Sequence, residues 1–97
     1  MVKNYMEQIV DELLPVVMEE YPDLYKCKAC LADVKAITLN HLKPRYVATE
    51  KGEIYVKIDN ISLQSKANIL KEITKAAEIV RHNPRNQGDT EIKEEIL

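Results

Sequence analysis

A chain of 97 residues holds one domain and one core; with 45% hydrophobic and 31% charged residues, two Gly and four Pro, it is not collagen-like, low-complexity or wholly disordered. No stretch approaches about 18 uninterrupted apolar residues, which argues against a membrane-spanning helix, and two isolated glycines exclude a Gly-rich phosphate loop. The formal charge of -2 is uneven: residues 1–23 set one Lys against six carboxylates, 24–57 seven basic groups against three acids, 58–88 five against three, and 89–97 one against four. A cationic centre between acidic ends suits a small anionic ligand and argues against long nucleic acid. The first residues lack an apolar h-region, so the expected address is the cytoplasm.

Over residues 2–20, Met6, Ile9, Val10, Leu13, Leu14, Val17 and Met18 recur at spacings of three and four between acids, as in an amphipathic helix. Asn4, with Glu7 three residues on, fits a capping box. Pro15 inside this pattern removes a hydrogen bond at a cost of ~3 kcal/mol, so a kink near residues 11–15 or two successive helices are expected. Tyr21-Pro22-Asp23 should end the segment.

A second helix is expected over residues 29–41, marked by Leu31, Val34, Ile37 and Thr38 with Ala36 and Leu42 nearby, and stopping before Pro44. Two β-prone runs follow, 46–49 and 54–57, with Gly52 in the turn between them, which reads as a hairpin. The longest helix is expected over residues 60–82, with Asp59 or Asn60 as its cap and Ile61, Leu63, Ala67, Ile69, Leu70, Ile73, Ala76, Ala77, Ile79 and Val80 as its apolar set. Asn83-Pro84 should end it, leaving 89–97 as a frayed tail. The fold class is therefore mainly α, one domain over 1–97 with a single β-hairpin between the second and third helices. So small a core points to a homodimer, for which the last helix, around Ile73, is the candidate interface.

Three uses stay open for Cys27 and Cys30 in a reducing compartment: packing thiols, a metal, or redox chemistry. Zinc would fit their two-residue spacing, but two thiolates are half of a closed four-ligand site, and His41 and His82 lie too far off in sequence to complete a finger. The stretch from Asn40 to Tyr46 joins a helix end, a rigid proline and a cation–aromatic pair. Lys43 and Arg45 offer donors to phosphate, and Arg45 adds a planar face that stacks on a base. The same side chains also complement a helix dipole, and Tyr46 also suits a core. No Ser/His/Asp set, carboxylate pair or HExxH motif supports catalysis.

The run from Ala29 to Val47 resembles the core signature of the late competence development protein (ComFB) family: C-x-x-D-(I/V)-x-A-x-(A/S)-L-N, matched here by Cys30, Asp33, Val34, Ala36, Leu39 and Asn40 with Thr38 at the Ala/Ser position, then L-x-P-x-Y-V from Leu42 to Val47. Asn4-Tyr5-Met6-Glu7, Thr49-Glu50-Lys51-Gly52 and Asn83-Pro84-Arg85 extend the likeness over nearly the whole chain. The resemblance implies a small, mostly helical, dimeric, non-enzymatic protein encoded beside DNA-uptake genes, in a family whose cyanobacterial members are receptors for cyclic dinucleotides. It also implies a zinc site completed in some members by cysteines at the position of Tyr25 and near Gly88, both absent here. The resulting expectation is a regulatory receptor for a c-di-GMP-like messenger, linked to competence or motility. Asn40, Lys43, Arg45, Tyr46 and Lys51 would form its ligand site, and Cys27 and Cys30 would be its metal ligands if zinc binds. The alternative is a protein–protein adaptor with a structural cysteine turn.

Overall fold

A computed structural model describes residues 2–48 and 62–83. Within them the chain runs β1 (Lys3–Asn4), α1 (Met6–Met18), α2 (Pro22–Tyr25), α3 (Lys28–Asn40), β2 (Tyr46–Val47) and α4 (Leu63–His82). The mainly helical class is met, with four helices and a two-stranded antiparallel sheet among the described residues.

The helices follow the apolar periodicity. In α1 the residues Met6, Ile9, Val10, Leu13, Val17 and Met18 are buried; in α3 Cys30, Val34, Ile37 and Thr38 are. Ile69, Ile73, Ala76, Ala77 and Val80 form the inward stripe of α4. These three stripes face one another, and α4 packs mainly on α3 and then on α1. The two alanines carry the least side-chain bulk, so they let α4 approach its neighbours closely. On the rim of α1 and α3, Lys35 Nζ lies 3.0 Å from the Asp11 carboxylate. An exposed pair of this kind is worth at most about 1 kcal/mol.

Several boundaries differ from the sequence reading. Pro15 neither splits α1 in two nor ends it: the helix continues to Met18, with Pro15 on its exposed face while Leu13, Val17 and Met18 on either side are buried in the core that holds it. The break at Tyr21-Pro22 is followed at once by the short helix α2. Tyr21, preceding a proline, is held at φ -133°, and Pro22 opens the new turn at a position that needs no donor N–H. Ser62, and not Asp59 or Asn60, caps α4, its Oγ accepting the Ser65 N–H at 3.1 Å. Leu63, expected in the core, is 84% exposed, and Ile79 is 51% exposed, so neither belongs to the inward stripe. Ile73 lies fully inside this chain's own core and is therefore removed as an interface residue.

The described sheet holds a pairing that the sequence reading does not include. Tyr46–Val47 pairs with Lys3–Asn4 in register Lys3↔Val47 and Asn4↔Tyr46, so the chain's start joins the segment after α3. The second expected strand, 54–57, its turn, Ile61 and the tail 89–97 lie outside the described residues.

One contact ties α2's entry to the end of α4. The Tyr21 hydroxyl donates to Glu78 Oε2 at 2.5 Å, and Arg81 donates to the other oxygen at 3.0 Å. The hydrogen bond from Tyr21, helped by Arg81, holds Glu78 below its ordinary value of 4.5. The same bond, with burial, raises Tyr21 above 10.0. Because Glu78 is depressed on folding, its contribution is present above the ordinary Glu value and is lost as pH falls through the folded one. Tyr21 is raised, so its share is present below the ordinary Tyr value and is lost as pH rises through the folded one. Tyr21→Phe should therefore lower Tm at neutral pH, and the difference from the native protein should shrink as Glu78 protonates. A Tm difference that stays constant from neutral to acidic pH in thermal melts would refute the assignment.

Candidate functional site

The loop after α3 is fixed from three sides. At the helix end, His41 N–H donates to the Thr38 carbonyl at 3.0 Å. The His41 ring closes on Ile37 O, with Nδ1 at 2.8 Å. A carbonyl only accepts, so Nδ1 carries the proton and the tautomer is set. Pro44 then stiffens the chain. On the far side Asn4 acts as a clamp: its Oδ1 accepts both the Arg45 N–H at 2.8 Å and the Met6 N–H at 3.1 Å. Next to it, Tyr5 N–H donates to Arg45 O at 2.7 Å.

This is not the capping box expected from the sequence. Asn4 stands one residue before the N-cap, Tyr5, and uses one oxygen both to start α1 and to hold the Arg45 backbone across the sheet. Asn4→Ala leaves two partly buried N–H groups without that acceptor, at a cost of about 1–3 kcal/mol. Hydrogen exchange at the Met6 and Arg45 amides should quicken together; unchanged exchange at Arg45 would show that the clamp does not hold the loop.

Between this loop and the first turns of α4 lies a groove of about 660 Å³, within the range of small-molecule sites. His41, Lys43 and Arg45 line one wall, Gln64, Ser65 and Asn68 the other, and Met6, Leu42, Pro44 and Ile69 supply apolar surface between them. Gln64 and Asn68 are four residues apart and so share a helix face. Among the described residues, no carboxylate lines the groove. Its chemistry is that of an anion site with neutral donors and acceptors opposite the cations: Lys and Arg for phosphate, two amides and a hydroxyl for the polar edge of a base or sugar.

The sequence reading places Lys43 and Arg45 in the site, and both line this groove. Asn40 and Tyr46 do not. Asn40 ends α3 with its side chain exposed. Tyr46 is 66% exposed, because strand alternation sends the buried Val47 inward and its neighbour out. Lys51 lies outside the described residues. The groove adds His41, Gln64, Ser65 and Asn68, which sequence reasoning does not assign to a ligand. Their only signal is a polar set at the start of the last helix, indistinguishable there from a solvated face.

At the other end of α3, Cys27 is the N-cap, its Sγ accepting the Cys30 N–H at 3.2 Å. Both cysteines are buried. Among the described residues no three His, Cys, Asp or Glu side chains cluster as metal ligands. Tyr25, the position at which the resemblance implies a third cysteine in other members, is exposed. The described donor set is thus two thiols and does not make the four-ligand zinc site that the resemblance implies.

The sequence pattern of the family described as "Late competence development protein ComFB" matches residues 3–84. The chain belongs to this family. A curated relative, "Competence protein ComFB" of Bacillus subtilis (strain 168), is 28% identical over 97 residues, covering 100% of this chain and 99% of the relative. The solved structure of the late competence protein ComFB from Bacillus subtilis aligns with a TM-score of 0.69 at 28% identity, over 92% of this chain and 100% of that one. The family that the stretch from Cys30 to Val47 resembles is therefore the one this chain belongs to, and its mainly helical architecture agrees with that membership. Among the described residues, no helix is long and apolar enough to cross a membrane.

Proposed function

We propose that this ComFB-family chain is a non-enzymatic regulatory receptor whose groove between the His41–Arg45 loop and α4 binds a cyclic dinucleotide. The observation that carries the reading is the lining: Lys43 and Arg45 on one wall, hydrogen-bonding amides on the other, and no acid among the described residues between them. A cyclic dinucleotide presents two phosphates and two base edges, which call for this pairing of charge and amide chemistry. Membership in a competence-protein family supports a role for such a receptor in the control of DNA uptake.

Calorimetric titration of the full chain with a panel of cyclic dinucleotides tests this. One member should bind at a single site per chain, and its affinity should fall as ionic strength rises, because two phosphates face Lys43 and Arg45. Absence of binding across the panel would leave the adaptor reading, for which the exposed apolar residues Val16, Leu63 and Ile79 are the observation. The homodimer belongs to the same proposal; light scattering that shows a monomer at micromolar concentration would remove it.

A further inference from the structure

The Cys27-Lys28-Ala29-Cys30 turn has a geometry that ligand binding at the groove does not use. Cys27 caps α3 in an extended conformation, φ -107° and ψ 108°, and its side chain folds back over the first turn. Its sulfur lies 3.2 Å from the backbone nitrogen of Cys30, the residue that carries the other thiol. Side chains three apart at a helix start share a face at roughly 5–6 Å between Cβ atoms, and a disulfide needs about 3.5–4.5 Å. Rotation about the Cα–Cβ bonds and a small settling of the cap residue close that gap without unwinding α3. The two residues are 6% and 2% exposed, respectively, so a bulky oxidant is kept out.

We infer that Cys27 and Cys30 form a peroxide-reactive dithiol that closes reversibly into a disulfide at the start of α3. The oxidant class follows from burial: hydrogen peroxide is small enough to reach the pair. Cys27, the more exposed, attacks one peroxide oxygen; the O–O bond breaks, Cys27 becomes a sulfenic acid, and the departing hydroxide leaves as water with the thiol proton. The Cys30 sulfur then attacks the Cys27 sulfur, the S–O bond breaks, and a second water leaves with the Cys30 proton. Two thiols and one peroxide become one disulfide and two waters; the sulfurs lose two electrons and the peroxide gains them.

The test uses the full chain, first reduced and freed of metal by a chelator. After exposure to dilute hydrogen peroxide, the two thiols should become resistant to alkylation together. Intact mass should fall by two hydrogen atoms, and dithiothreitol should restore both thiols. Cys30→Ser removes the resolving thiol, so Cys27 should be trapped as a sulfenic acid that dimedone captures. Cys27→Ser keeps a capping hydroxyl, and its single thiol should stay alkylatable under the exposure that closes the native pair. The inference is overturned if both native thiols persist where free cysteine in the same tube is oxidised. Sulfinic acid or chain-to-chain disulfides as the main native product, or equal thiol loss in the native and Cys27→Ser proteins, would overturn it as well.

Discussion

Replacing Ile73 by Asp should abolish the cooperative fold. Ile73 is fully enclosed where α4 packs against α1 and α3. Loss of its burial removes about 1.5–3 kcal/mol, and an unpaired carboxylate in that place costs several more. Single domains have only about 5–15 kcal/mol in total, so the sum reaches the whole margin of so small a protein. A graded series separates packing from charge: Ile73→Val should cost about 0.5–1.5 kcal/mol and Ile73→Ala about 2–5. Urea unfolding followed by circular dichroism reads all three. An Ile73→Asp protein with a cooperative transition within about 1 kcal/mol of the native one would refute the core placement. Ile79→Asp is the counterpart, since Ile79 is half exposed on the same helix. It should leave chain stability within about 0.5 kcal/mol, and if α4 meets a second copy, Ile79→Asp should weaken that association.

The part of the fold legible in the sequence is the part governed by short-range repetition. The stripes of α1, α3 and α4 recur at three and four residues and are buried as their spacing requires. Two-residue strands carry no such repetition, so the pairing of Lys3–Asn4 with Tyr46–Val47 leaves no periodic trace. Read locally, Tyr46–Val47 takes a nearby partner because adjacent β-prone runs usually pair; its described partner, Lys3–Asn4, comes from the start of the chain, beyond the reach of a local reading. The cap of α4 is equally hidden, since Asp59, Asn60 and Ser62 all have side chains that accept an N–H, and local chemistry cannot rank them. The groove divides in the same way. Its loop wall, Lys43 and Arg45 around Pro44, stands out as a basic turn, whereas Gln64, Ser65 and Asn68 join it only because packing swings the start of α4 across from that turn.

Removing the Arg45 side chain should cut dinucleotide affinity about ten- to a hundred-fold, the loss of a charge-assisted contact worth ~1.5–3 kcal/mol. The backbone of Arg45 is held by Asn4 Oδ1 and the Tyr5 N–H, not by its own side chain, so Arg45→Ala keeps the loop where it is. Its Tm should stay near the native value, and any loss of binding then belongs to the guanidinium. Arg45→Lys restores charge but neither the planar fork nor the stacking face, so it should fall between the native protein and the alanine variant. The rank order should also depend on salt: the gap between the native protein and Arg45→Ala narrows as ionic strength rises, while the gap between the native protein and Arg45→Lys, which rests on geometry, persists. Titrating the three proteins with one dinucleotide at two salt concentrations reads both gaps. Equal affinities would remove Arg45 from the site, and with it the reading of the basic wall as a phosphate cradle.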